Sequence, residues 1–129
     1  MHRRVVNYAL AKRSKLADVR ASRVALDEVC DAGSQLLRAA QFHGVPTESA
    51  CPICRKEQVT LVSLLSGSSL GHLSGSARTP AEIVRLAARM PEFAVNVVEV
   101  CRTCRWNHPV RSYVVGLTSS APPARRAAE

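Results

Sequence analysis

Apolar positions along the first 46 residues recur at helical spacing. Val5, Ala9, Leu16 and Val19 fall on one face of a first helix, with Arg and Lys between them. Ser22 is placed to cap a second short helix through Val24, Leu26 and Val29. Asp31-Ala32-Gly33-Ser34 breaks that helix. A third follows, with Leu36, Leu37, Ala40 and Phe42 turned inward. Gly44 stands where a left-handed cap belongs, and Pro46 forbids continuation. His43 lies in the last turn, where the helix dipole favours a cation.

The pattern changes at residue 47. Thr47 to Ala50 reads as a polar link. Val59 to Leu65, rich in β-branched and aliphatic residues, reads as apolar on both faces, which predicts a central strand over 57–65. Residues 66–78 hold three Gly and five Ser, the composition of a mobile loop. Thr79-Pro80-Ala81-Glu82 is a helix start: Thr as cap, Pro at the first position, and Glu placed to reach back to the cap amide. Ile83, Leu86, Ala87 and Met90 give its buried stripe, and Pro91 ends it. Phe93 to Val100 and Trp106 to Val115 predict two further strands. The expected fold is α+β: a helical segment 1–46 of about three helices, then a zinc-ribbon-like unit 47–117. That unit is a three-stranded antiparallel sheet carrying an inserted loop and helix at 66–91. Residues 118–129, rich in Ser, Ala, Pro and Arg, predict a disordered tail.

Composition narrows the class. The 129 residues are 47% hydrophobic, enough for one folded core. No run approaches the roughly 18 apolar residues of a membrane helix. The apolar stretch after Arg3-Arg4 is interrupted by Asn7, ends in Lys12-Arg13 and lacks a clear cleavage site, which points to the cytoplasm. The formal charge is +8, and three lysines (Lys12, Lys15, Lys56) stand against fifteen arginines, a residue suited to phosphate and carboxylate forks. A compositional preference for Arg and Ala explains the same bias.

The chemistry lies in Cys51-Pro52-Ile53-Cys54 and Cys101-Arg102-Thr103-Cys104. Two such turns supply four thiolates to one tetrahedral Zn²⁺ at about 2.3 Å, a closed site without room for a substrate water. The expected cofactor is therefore one structural zinc, whose binding contributes folding free energy. The 46 residues between the pairs exceed the usual ribbon spacing, and the insertion accounts for the excess. Arg55 and Arg105 each follow the second Cys of a pair, where a cation offsets the site's residual negative charge. A disulfide or redox couple and an iron–sulfur cluster are the competing uses of four cysteines. Cys30 reads as a small buried residue of a helix, with a reactive thiol as the alternative. No nucleophile–base set, phosphate loop or HExxH motif is present, so an enzyme is not expected.

Taken together, His43-Gly44, Cys51-Pro52-x-Cys54, Leu61-Val62, Thr79-Pro80-Ala81-Glu82, Val97-Val98-Glu99-Val100-Cys101, Cys104-Arg105-Trp106-Asn107-His108 and Ser112-Tyr113 carry a resemblance. The chain resembles, over roughly residues 3–117, a family of small actinobacterial proteins known only as a domain of unknown function. The resemblance implies a cytoplasmic, zinc-ribbon-like protein and no activity.

Alternation along a strand puts Trp106 and His108 on one face and Asn107 on the other. Trp106 either covers the metal site or, with Arg105, His108 and Arg111, forms an exposed partner-binding face. Two functions lead. One is a non-catalytic adaptor docking on a large machine such as RNA polymerase or the ribosome, by fold analogy. The other is direct nucleic-acid binding. There Ser22 to Phe42 acts as a helix-turn-helix with Gly33 in the turn, and Gln35, Arg38 and Gln41 make the contacts. A metal- or thiol-responsive regulator using Cys30 is the third. No membrane or small-molecule partner is indicated.

Overall fold

A computed structural model describes residues 2–117. The expected tail 118–129 lies outside them. The architecture is α+β, built on one six-stranded antiparallel sheet with helices interleaved along the chain. In chain order the elements are β1 (Arg3–Asn7), α1 (Ala9–Arg20), α2 (Ser34–His43), β2 (Val45–Ala50), β3 (Gln58–Ser66), β4 (Ala77–Arg78), α3 (Pro80–Ala87), β5 (Phe93–Val100) and β6 (Asn107–Val115). The strand order is β1-β6-β5-β3-β2, with β4 also pairing β3.

This overturns the expected helical block followed by a three-stranded ribbon. Both ends of the supposed block are strands. β1 pairs β6 (Val6 with Ser112, Asn7 with Arg111), and β2 pairs β3 (Val45 with Leu61). Helical spacing misread Val5 and Ala9 because a strand turns into a helix between them. The Asn7 side chain accepts the Ala9 amide at 2.7 Å and starts α1. β2 was hidden by its polarity, which suits an edge strand, as does Pro46. Both edge strands carry irregular register, at Arg3/Val6 and Pro46/Ala50, which blunts them against pairing with other chains.

Between α1 and α2 stands only a 3-10 turn at Leu26–Glu28, with Ser22 at φ 59° rather than at a cap. Ser22 to Phe42 therefore does not form the expected helix-turn-helix. Gly44 is extended at φ −82°, ψ 158°, not left-handed. Its requirement is space. A Cβ there would run into the Thr60 methyl and stand 2.5 Å from the Ala40 carbonyl oxygen, so a bare backbone lets α2 lie close on β3. Phe42, expected inward, is 64% exposed. The Gly/Ser segment is folded rather than loose: a 3-10 turn at Ser68–Leu73 buries Leu70, and Leu65 exchanges backbone bonds with Ser76 and Gly75. α3 has the expected capping box between Thr79 and Glu82 but ends at Ala87, three residues before Met90.

β3 and β5 are central, and their side chains divide the interior. Leu65, Phe93, Val95, Val97, Tyr113 and Val115 pack under α3 and the 3-10 turn. Val62 and Val100 meet Ala40 of α2 on the opposite face. A third cluster, around Val29, Val59 and Trp106, closes the end of the sheet where the cysteines lie. No helix among the described residues is long and apolar enough to cross a membrane.

Candidate metal centre

The two cysteine pairs occupy equivalent turns. The first joins β2 to β3, the second joins β5 to β6. β3 and β5 are hydrogen-bonded neighbours, with Thr60 opposite Val100, so the two turns emerge side by side. Central strand pairing therefore cancels the long separation in sequence. All four sulfurs lie within 4.8 Å of one another. Cys51 and Cys104 are 3.6 Å apart, as are Cys54 and Cys101. Four sulfurs around a zinc ion at about 2.3 Å would be separated by about 3.8 Å. The cluster thus fits a tetrahedral four-thiolate ion, and each corner is supplied by the chain. Among the described residues all five cysteines are free of disulfides.

The turns repeat one backbone design. In each, the residue after the second Cys sends its amide to the carbonyl of the first: Arg55 to Cys51 at 3.1 Å, Arg105 to Cys101 at 2.9 Å. Both residues are left-handed, at φ 58° and 72°. Backbone amides point at the sulfurs, from Ile53 to Cys51 (3.4 Å), Lys56 to Cys54 and Cys104 to Cys101 (both 3.5 Å). Without a metal the thiols differ in acidity. The Lys56 amide draws Cys54 down to about 7. Burial pushes Cys104 up to about 12 and raises Cys51 and Cys101 as well. A bound cation replaces these protons, so loading releases them to solvent.

Side chains beside the pairs and a segment remote in sequence complete the centre, and the sequence carried no periodic signal for them. Glu57 bridges the two turns, accepting the Arg102 amide at 3.0 Å and the Thr103 hydroxyl at 2.7 Å. The segment 29–32 clamps the second turn: Ala32 N–H donates to the Arg105 carbonyl, Asn107 N–H to that of Val29, and the Asn107 amide group to Asp31. This clamp brings Cys30 to the site. Its thiol, half-buried and outside any helix, points at the Cys104 sulfur from 3.9 Å, and burial raises its pKa.

Trp106 is wholly buried against Cys51 and Cys101. It covers the metal site, and its indole N–H donates to Glu99 at 2.7 Å. Glu99, itself buried, also receives Lys12 of α1 at 2.8 Å. His108 is buried too, stacked on Trp106 with centroids 5.7 Å apart, and its Nδ1–H donates to the Pro109 carbonyl. The partner-face candidates therefore separate. Trp106 and His108 are interior, while Arg105 and Arg111 are exposed.

Fold and site together define a class: a small antiparallel α+β protein with four clustered cysteines that could hold a metal ion, set in paired hairpin turns. Within that class the chain belongs to the Family of unknown function (DUF5318), matched over residues 1–129. An uncharacterized protein of Mycobacterium tuberculosis (strain ATCC 25618 / H37Rv) is 58% identical to it over 120 residues, 93% of this chain and 88% of the relative. An uncharacterized protein of Mycobacterium bovis shows the same figures, 58% over 120 residues. No solved structure matches.

Proposed function

We propose that the chain is a non-catalytic binding protein of the cytoplasm, held in shape by one structural zinc, that acts as an adaptor on a large assembly of the transcription or translation apparatus. The observation that carries this reading is the closed sulfur cluster: all four corners are cysteine, and no position is left for a substrate. The groups around it that could act as acid or base are already committed to structure. Glu57 ties the turns, Glu99 holds Trp106 and Lys12, and His108 is buried against Trp106. The zinc assignment rests on four sulfur donors at tetrahedral spacing. The assembly itself is an analogy from zinc-containing proteins of similar size and charge.

The test has two parts. Cobalt(II) substitution is expected to give a four-thiolate tetrahedral spectrum that added anions leave unchanged. Crosslinking of the tagged, metal-loaded protein in mycobacterial cells is expected to capture polymerase or ribosomal subunits. An anion-sensitive cobalt spectrum would reveal an open coordination position and overturn the non-catalytic reading. Absence of both assemblies from the crosslinked material would overturn the adaptor.

A further inference from the structure

We propose that the outer side of α2, with the tips of the two cysteine turns beside it, binds single-stranded nucleic acid. The inference rests on reading the chain as a binding module, and names a surface and a ligand chemistry for it.

Charge comes first. Of the nine carboxylates in the described residues, six already make side-chain hydrogen bonds or ion pairs within the chain. By contrast Arg38, Arg55, Lys56, Arg102 and Arg105 are exposed, and none makes a side-chain hydrogen bond or ion pair among those residues. Four of these five cations sit on the turns that hold the metal. The fifth, Arg38, is on the middle of α2, facing Arg102 across a cleft.

Shape comes second. Two clefts meet at Arg38. One, of about 500 Å³, lies between α2 and the turns and is lined by Arg38, Gln41, Glu57 and Arg102. The other, of about 370 Å³, continues toward β4 and is lined by Arg38, Phe42, His43 and Arg78. Together they make a track along a helix of ten residues, about 15 Å long, enough for roughly three phosphates of one strand. Arg102 and Arg38 line it, and Arg78, ion-paired with Glu82 at 3.9 Å, stands at its far end. Glu57 is the one carboxylate lining either cleft; it accepts from the neutral Arg102 amide and Thr103 hydroxyl and keeps its negative charge, against which the cleft sets Arg38 and Arg102.

The aromatic decides the ligand class. Phe93, Trp106 and Tyr113 are buried and Tyr8 is half-buried, but Phe42 is 64% exposed inside the cationic track. A bare ring between guanidinium groups stacks on an unpaired base while the cations hold the phosphates. A duplex hides its base faces and would leave Phe42 without a function.

Fluorescence anisotropy of the metal-loaded protein with labelled RNA and DNA strands of about twelve nucleotides, beside the matching duplex, tests this. Both strands are expected to bind at about 50 mM salt, more tightly than the duplex, with a log–log salt slope near −2 for about three phosphates. Phe42→Ala should weaken strand binding about tenfold or more. The double substitution Arg38→Ala, Arg102→Ala should flatten the slope by about 1.4. Arg13→Ala on α1, away from the track, should change little. An unaltered Trp106 emission establishes that each variant keeps its fold. The proposal is overturned if neither strand binds, if the Phe42 and double-arginine variants bind like the parent, or if the duplex binds equally well. Displacement by polyglutamate at equal charge concentration would assign the track to an acidic protein and overturn it too. Preference between the RNA and DNA strands identifies the source. The cobalt and crosslinking readouts are independent of this one, so the two readings fail separately.

Discussion

Removing the metal should open one end of the molecule and leave the other folded. The two turns comprise Cys51–Glu57 and Cys101–Trp106, thirteen residues. Ordering them costs about 20 kcal/mol at roughly 1.5 kcal/mol per residue. The apolar burial that opposes this is local: Trp106 contributes about 5 kcal/mol for some 200 Å², and Val29 and Val59 about 2 kcal/mol each. The sum, about 9 kcal/mol, falls about 11 kcal/mol short. Metal binding of about 13 kcal/mol closes the gap with a small surplus. The cluster under α3 shares no buried residue with the metal end, so its contacts survive.

The chain carries its own reporter, because Trp106 is its single tryptophan and is wholly buried on the cysteines. Stoichiometric chelation at pH 7.5, followed by metal analysis, should shift its emission to the red. A cooperative melt of the remaining strands should persist at lower temperature. Acid should act like chelator, and the sign is set by the thiols. Above about 7, Cys54 is already a thiolate and three raised thiols must lose protons to bind; below it, all four must. As pH is lowered, apparent metal affinity should therefore fall about a thousandfold per unit above neutrality and about ten-thousandfold per unit just below it. Unchanged Trp106 emission in protein proven metal-free would refute this account of what holds the turns.

Two substitutions probe how the metal end and α2 are seated. Glu99→Leu leaves the Trp106 indole N–H buried and unpaired, while Lys12, one-third exposed, can turn to water. The expected loss is about 2 kcal/mol, or about 8 °C in Tm for a chain of this size; an unchanged melt would mean that Trp106 has another partner. Gly44→Ala needs no unusual φ, yet its methyl meets Thr60 and the Ala40 carbonyl, so α2 must lift from β3. A loss of about 2 kcal/mol in a urea titration is expected, and a neutral result would place α2 more loosely than described.

What could be read from the sequence was what depends on local chemistry. The four ligands, the Thr79–Glu82 capping box and the continuous apolar strands β3 and β5 each announce themselves within a few residues. What could not be read depends on neighbours far along the chain. β1 and β2 have few buried side chains and are strands because β6 and β3 offer them hydrogen bonds. Phe42 fell on the apparent inner face of α2, but Ala40 and the half-buried Leu36 and Leu37 suffice to seat that helix, leaving the ring in solvent. Cys30 looked like a spare apolar residue because nothing in its own segment shows that the segment folds onto the second turn.

The left-handed residues of the two turns connect the centre to the surface beside it. The tight turn after each pair asks for a positive φ, which glycine adopts freely and arginine adopts at a cost of about 1 kcal/mol or more. Arginine stands at both positions, 55 and 105, at φ 58° and 72°. Neither side chain is needed to hold the turn, since the bonds that close it come from the backbone amides. What arginine adds over glycine at both places is a positive charge. One use is internal: two guanidinium groups near four thiolates and a divalent cation offset a residual charge of about −2. Both residues are exposed and make no side-chain ion pair among the described residues, so an anion from solvent can reach them. Backbone strain and exposed positive charge thus coincide at equivalent places in the two turns.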